Sequence, residues 1–209
     1  LAIGMSPFLM NLAACFIVII INQGLKKYGG DLAIGAFGIV NRLVFIVVMI
    51  VMGLNQGMQP IAGYNFGAKL YGRVNKVLKL TIIYATAVTT FGFLVGMLVP
   101  DLVVGIFTSD AELTELSVTG LRITVMFFPI IGFQMVTSNF FQSIGMAGKA
   151  IFLSLTRQML ILLPCLLILP QFFGVAGVWY SMPVSDLLAR LIALVMLVCQ
   201  FRKFRTSPL

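Results

Sequence analysis

Six apolar runs constrain this chain more than any other feature, because each exceeds the roughly 18 residues that carry a helix across a bilayer. They read as spans at about 6–28, 32–63, 77–99, 116–143, 151–172 and 174–201. In lipid a backbone must satisfy its own N–H and C=O groups, which leaves helices or a closed barrel. A barrel would show strict alternation in segments of about ten residues, and these runs are continuous. Charged residues make up only 10% of the 209 residues and hydrophobic ones 60%, against about 25% charge in a soluble domain. The expectation is an all-α integral membrane protein, a six-transmembrane-helix bundle. The first run is too long for a signal peptide and lacks a small-residue cleavage site.

Charge sets the expected topology. Lys69, Arg73, Lys76, Lys79, Lys149, Arg202, Lys203 and Arg205 flank one side of the spans. Asp31, Asp101, Asp110, Glu112 and Glu115 flank the other, offset by Lys26, Lys27 and Arg122. By the positive-inside rule the basic side is cytoplasmic, as are both chain ends. The net charge of +8 is thus a topology signal, with a minor part for anionic lipid, and no nucleic-acid partner is expected. Cys15, Cys165 and Cys199 each lie inside an apolar run and read as small buried hydrophobes. Local signals place Ser6 and Pro7 at the first helix start, a turn over 26–31, and a capping box at Ser109–Glu112. Trp179 and Tyr180 are expected in an interfacial aromatic belt.

The stretch 53–79 carries the most specific pattern. Gly53 with Gly57, and Gly63 with Gly67, form small-xxx-small pairs that let helices approach closely in lipid. Pro60 between them has no N–H, which frees the carbonyl of Gln56. The stretch is therefore expected to be a broken, polar end of the second span. Pro129, Pro164 and Pro183 interrupt the fourth, fifth and sixth spans. Membrane helices broken by Gly and Pro point toward transporters.

The same stretch carries a family resemblance. Gln56-Gly-Met-Gln-Pro-Ile-Ala-Gly-Tyr-Asn-Phe-Gly-Ala-Lys69 with Arg73-Val74 resembles the eighth helix and following loop of MATE (multidrug and toxic compound extrusion) transporters. Ile106-Phe-Thr-Ser-Asp110 resembles the connection between the ninth and tenth helices. Asn139-Phe-Phe-Gln-Ser-Ile-Gly145, then Leu153-Ser-Leu-Thr-Arg-Gln158 with Pro164, resembles the tenth-to-eleventh region. Phe173-Gly-Val-Ala-Gly-Val-Trp179 with Pro183-Val-Ser-Asp186 resembles the start of the twelfth. The matches come in the family's order over nearly the whole chain. The resemblance implies that residues 1–209 are the C-terminal lobe, helices seven to twelve, of a twelve-helix exporter in a bacterial inner membrane. The implied partner is an N-terminal lobe that lies outside this chain and usually carries the proton-coupling aspartate. A first residue of Leu1, not Met, likewise suggests a fragment.

Ionisable and amide groups within the spans are the candidate site. Counted at about 1.5 Å per residue from the outer ends, Asn22, Arg42 and Asp186 lie roughly 9–14 Å deep, with Arg190 one turn further in. An ionised group there costs about 2.5–3.5 kcal/mol even on the lenient insertion scale, so pairing is expected. Arg190 at (i, i+4) and Arg42 are the expected partners of Asp186. A structural ion pair is the favoured reading, and a coupling or cation site stays open. A second layer, nearer the cytoplasm, holds Gln56, Gln59, Gln134, Asn139, Gln142, Arg157 and Gln158. Its amides either bridge helices or line an inward-facing cavity or gate. Met5, Met52, Met126, Phe127, Phe128 and Met135 are candidates for a greasy pocket, although most such residues in a membrane bundle pack on lipid or helices.

No enzyme signature is present. The sequence Gly145-Met-Ala-Gly-Lys149-Ala150 lacks the first glycine and the final Ser/Thr of a phosphate loop, and there is no histidine. The expected function is secondary active multidrug efflux, with H+ or Na+ as coupling ion, no cofactor, and amphiphilic cationic compounds as substrates. The alternatives are a lipid-linked flippase of the same superfamily and a non-transporting membrane subunit.

Overall fold

The computed structural model describes residues 2–206, with side-chain surroundings at residue 8, 11–146 and 148–198. Met5, Cys199, Arg202, Lys203, Arg205 and the side chains of Ser6 and Pro7 lie outside those described surroundings. The described residues are helical, with short turns and no strand. Helix α1 covers Ala2–Gly67, α2 Tyr71–Leu98, α3 Pro100–Gly105, α4 Ala111–Val125, α5 Phe128–Ser143 and α6 Ala147–Leu155. A π-helix at Thr156–Leu162 joins α6 to α7, Leu163–Phe173, and α8 runs from Val175 to Thr206.

Helix α1 is too long for one passage. Its apolar part, Asn11–Gly67, is 57 residues, about 85 Å at the helical rise, against a hydrocarbon core of about 30 Å. Gly30 divides it, at φ 67° and ψ −162°, a backbone state that only glycine enters without strain. The expected turn over 26–31 is thus a single-residue break with helix on both sides. Ile17, Ile21 and Leu25 of the first arm share a cluster with Ala33, Phe37 and Val40 of the second. Helix α2, the α6–π–α7 rod and α8 are each long and apolar enough to cross a membrane, and α4 with α5 forms one further passage bent by 55°.

Several expected boundaries move. Helix α1 already runs through Ser6 and Pro7, so neither residue marks its start. Helix α2 begins six residues ahead of the expected start, so Arg73 and Lys76 lie on its first turns. The cap of α4 is Asp110, not Ser109: its Oδ1 accepts from Leu113 N at 2.9 Å, and its own N–H donates to Thr108 Oγ1 at 3.2 Å. A carboxylate there also favours the helix dipole.

Two dry clusters fill the bundle. One, toward the acidic end, gathers Phe37, Val40, Val104, Leu121, Phe128 and Trp179. The other, toward the basic end, gathers Met58, Val74, Leu78, Val136, Phe140 and Leu153. Trp179 is a core residue, 3% exposed and tilted on Phe37 at 5.8 Å between ring centroids; the expected belt residue is Tyr180 alone, 41% exposed. Helix α5 crosses α2 tightly at Gly132, where a Cβ would stand 2.9 Å from the Ala85 carbonyl. Cys15, expected to be buried, is an exposed free thiol, since the outside of a membrane bundle is as apolar as its inside.

Candidate functional site

Polar residues collect where the two clusters meet. In the α6–π–α7 rod, Thr156, Arg157 and Gln158 separate Leu153 of one cluster from Leu162 of the other. In α8, Ser185 and Asp186 separate Met182 from Ile192. On α5 the polar face starts at Gln134, just past Ile131 and Phe133.

The centre of this layer is an ion pair. Arg157 Nε lies 2.8 Å from Asp186 Oδ1, with the two side chains 33% and 6% exposed. Neither atom makes a hydrogen bond there, so the two meet as charges and the N–H is not aligned on the oxygen. This pairing corrects the expected one. Among the described residues Asp186 pairs with neither Arg190 nor Arg42. Arg42 is exposed and Arg190 half-buried. A depth count along single helices could not place Arg157 beside Asp186, because the π turn and the reach of an arginine lie outside that count. The two polar layers expected at different depths are therefore joined.

Beside the pair, between α5 and the α6–π rod, lies a cavity of about 160 Å3 lined by Gln134, Ser138, Asn139, Ser154, Arg157 and Gln158, with Met135 and Leu153. Ser138 and Ser154 hydroxyls stand 3.2 Å apart across it. Asn139 Nδ2 donates to the Met135 carbonyl at 2.9 Å, and its Oδ1 accepts from Gln59 Nε2 at 3.4 Å. Gln134 Oε1 and Gln158 Oε1 are buried without a hydrogen bond. The site thus offers free acceptors, one free donor direction and a neutralised charge pair.

The other expected residues fall elsewhere. Gln56 and Pro60 are exposed on α1, Gln142 is half-buried outside the cavity lining, and Asn22 is half-buried on the first arm. The helix is not broken at Pro60, since Gly30 is its only residue with non-helical angles. A Cβ at Gly53, Gly57 or Gly67 would meet nothing within 4 Å, whereas one at Gly63 would stand 3.0 Å from the Ser143 carbonyl. Of the two small-residue pairs, Gly63 alone packs closely on another helix among the described residues. Pro129 and Pro164 open α5 and α7, and Pro183 lies inside α8. Met52 and Met126 are exposed, Phe127 is half-buried, and Phe128 is a core residue that lines an apolar cavity; among these described candidates Met135 alone reaches the polar cavity. Sequence reasoning missed Ser138 and Ser154, ordinary residues in apolar runs, and the π-helix, which has no local signature beyond Pro164 at its end. It also missed Asn55, 2% exposed with both amide atoms unpartnered.

Comparison with known proteins gives a consistent set of relatives. The MatE family model matches residues 7–168. The chain is 30% identical over 193 residues to the multidrug export protein MepA of Staphylococcus aureus strain MSSA476, covering 92% of this chain and 42% of that protein. The MepA of Staphylococcus saprophyticus is 24% identical over the same length. Among solved structures, the MATE multidrug transporter DinF-BH, solved as a complex, overlays with a TM-score of 0.85 at 36% identity, over 99% of this chain and 46% of that one. The outward-facing conformation of a multidrug resistance MATE family transporter of the MOP superfamily overlays at 0.91 with 19% identity, a likeness of fold. The chain spans less than half the length of these relatives.

Proposed function

Because this chain belongs to the MatE family of multidrug transporters, we propose that it forms the C-terminal lobe of a cation-coupled exporter. The exporter takes up amphiphilic cations between two lobes and releases them on the other side of the membrane by alternating access. The basic end, with Lys69, Arg73, Lys76, Lys79 and Lys149, faces the cytoplasm of a bacterial inner membrane. Energy comes from inward flow of H+ or Na+. Within the lobe Asp186 is a structural charge, held by Arg157.

The observation that carries this reading is the polar cavity with its ion pair, in a chain whose 36%-identical relative is a multidrug transporter. A charge pair and free amides between dry clusters would only weaken a passive anchor, since unsatisfied polar groups in lipid cost several kcal/mol. A flippase for lipid-linked polyanions would call for a more basic cavity; here the one arginine is already neutralised.

The test uses the full-length transporter that contains this chain, in inside-out vesicles supplied with a cationic rhodamine dye. Dye uptake is followed while the proton gradient and the sodium gradient are collapsed in turn. Uptake that stops with one gradient supports the reading and names the ion. Uptake indifferent to both, or none from a folded protein across several cationic dyes, overturns it.

A further inference from the structure

We propose that the cavity between α5 and the π-helix is a water site, and that Gln134 and Gln158 position a small cluster of water molecules beside the Arg157–Asp186 pair. Four buried polar atoms point to the ligand. Gln134 Oε1, Gln158 Oε1 and Asp186 Oδ1 accept nothing, and Arg157 Nε donates nothing. Gln134 is 5% exposed and Asp186 4%. At membrane depth such atoms need a partner, because each unsatisfied group costs several kcal/mol in hydrocarbon.

The partner must both donate and accept. It must also be neutral, because a cation meets Arg157 and an anion meets Asp186. Water satisfies all three conditions. A volume of about 160 Å3 has room for several waters, each needing at least about 10–15 Å3, and Ser138, Ser154 and Asn139 supply further polar contacts on the wall. A second cavity, of about 250 Å3, offers the contrast. It is lined by Leu43, Val47, Gly92, Val95, Leu121 and Phe128 among other apolar residues, and offers a water molecule no set of polar partners.

Met135 lines the cavity and reports on it, while Met58, 2% exposed in the dry cluster, serves as the control. The full-length transporter in lipid nanodiscs is exposed to a microsecond X-ray pulse, which makes hydroxyl radicals from water. Sulfoxide is then read at each methionine by mass spectrometry. Met135 should oxidise about tenfold faster than Met58, because a thioether reacts where the oxidant is formed beside it. In Gln134→Leu/Gln158→Leu, which removes the acceptors at nearly constant volume, the Met135 rate should fall several-fold while Met58 is unchanged. If that variant does not accumulate, Ser138→Ala/Ser154→Ala makes the same comparison. Met135 as slow as Met58 in the unaltered protein overturns the proposal. So does a fast Met135 that none of these substitutions slows, since its water would then belong to another space. Neither readout depends on transport, so the exporter reading stands or falls separately.

Discussion

Removing either partner of the Arg157–Asp186 pair should have unequal effects, because the two are unequally buried. Asp186 is 6% exposed at the side chain and Arg157 33%. Arg157→Met leaves a carboxylate in the interior with no counter-charge, a change that costs about 3–5 kcal/mol in buried pairs. Asp186→Asn leaves an arginine one-third open that can turn its guanidinium toward water, so the loss is nearer the ~1–3 kcal/mol of an unpaired polar group. The first variant should therefore melt below the second, reflecting the ~2 kcal/mol that separates the two costs. Arg157→Met/Asp186→Leu, which removes both charges, should recover most of the loss, since an apolar pair of similar volume is often neutral or better. The assay is the melting midpoint and folded yield of the full-length transporter by fluorescence-detected size exclusion, beside rhodamine efflux per folded molecule. Asp186→Asn should lower yield more than efflux per molecule. Equal losses from both single variants would refute the burial argument. Normal yield with abolished efflux in Asp186→Asn would make Asp186 a coupling group.

Asn55→Leu should raise the melting midpoint, by the ~1–3 kcal/mol that an unpartnered buried amide costs; a drop would show that Asn55 has a partner outside the described residues. Gly120→Val should lower folded yield, because a Cβ there would stand 2.6 Å from the Trp179 ring, and overpacking typically costs about 1–3 kcal/mol; an unchanged midpoint would refute that packing. Gly30→Ala should destabilise through its positive φ, by about 1–3 kcal/mol. Gly53→Ala, in open helix, should be neutral or stabilising by up to about 1 kcal/mol. If Gly53→Ala instead lowers efflux at unchanged stability, the Gly53–Gly57 face contacts the other lobe.

What the sequence disclosed follows from which forces act locally. The passages were legible because bilayer thickness imposes a run length on any helix that crosses it, whatever its neighbours. The cap at Asp110 was legible to within one residue, since Ser109 and Asp110 compete for the same N–H groups and both are good caps. Trp179 was misplaced because an aromatic ring near a helix start suits both an interface and a core. The choice was made by Gly120 and Phe37, distant in sequence. The partner of Asp186 was hidden for a similar reason: Arg190 shares its helix, whereas Arg157 reaches it from another rod through a π turn. Gln134, Asn139, Arg157 and Gln158 were singled out as amides and charge in apolar runs, and the structure brings all four to one cavity. Gln56 and Gln142, equally conspicuous in sequence, do not line it, because period alone does not say which face of a membrane helix turns inward when both faces are apolar.

Two of the lobe's backbone irregularities, the π turn and Pro183, adjoin its polar layer, whereas the α4–α5 bend lies beside Val125 and Phe128 of an apolar cluster. A π turn at 156–162, a 55° bend between α4 and α5, and Pro183 inside α8 all loosen the regular bonding of helices at membrane depth. Backbone loosened there must find partners in protein or water, as lipid supplies none. Ser185 Oγ donates to the Met182 carbonyl at 2.7 Å beside Pro183, and the amides and ion pair lie where the two clusters meet. The helix around Pro60 is uninterrupted and its face is open within this chain. Arg157, Gln158 and Asp186 lie where the acidic-end and basic-end clusters meet, so the charge-pair variants probe this polar layer and not the packing of either cluster.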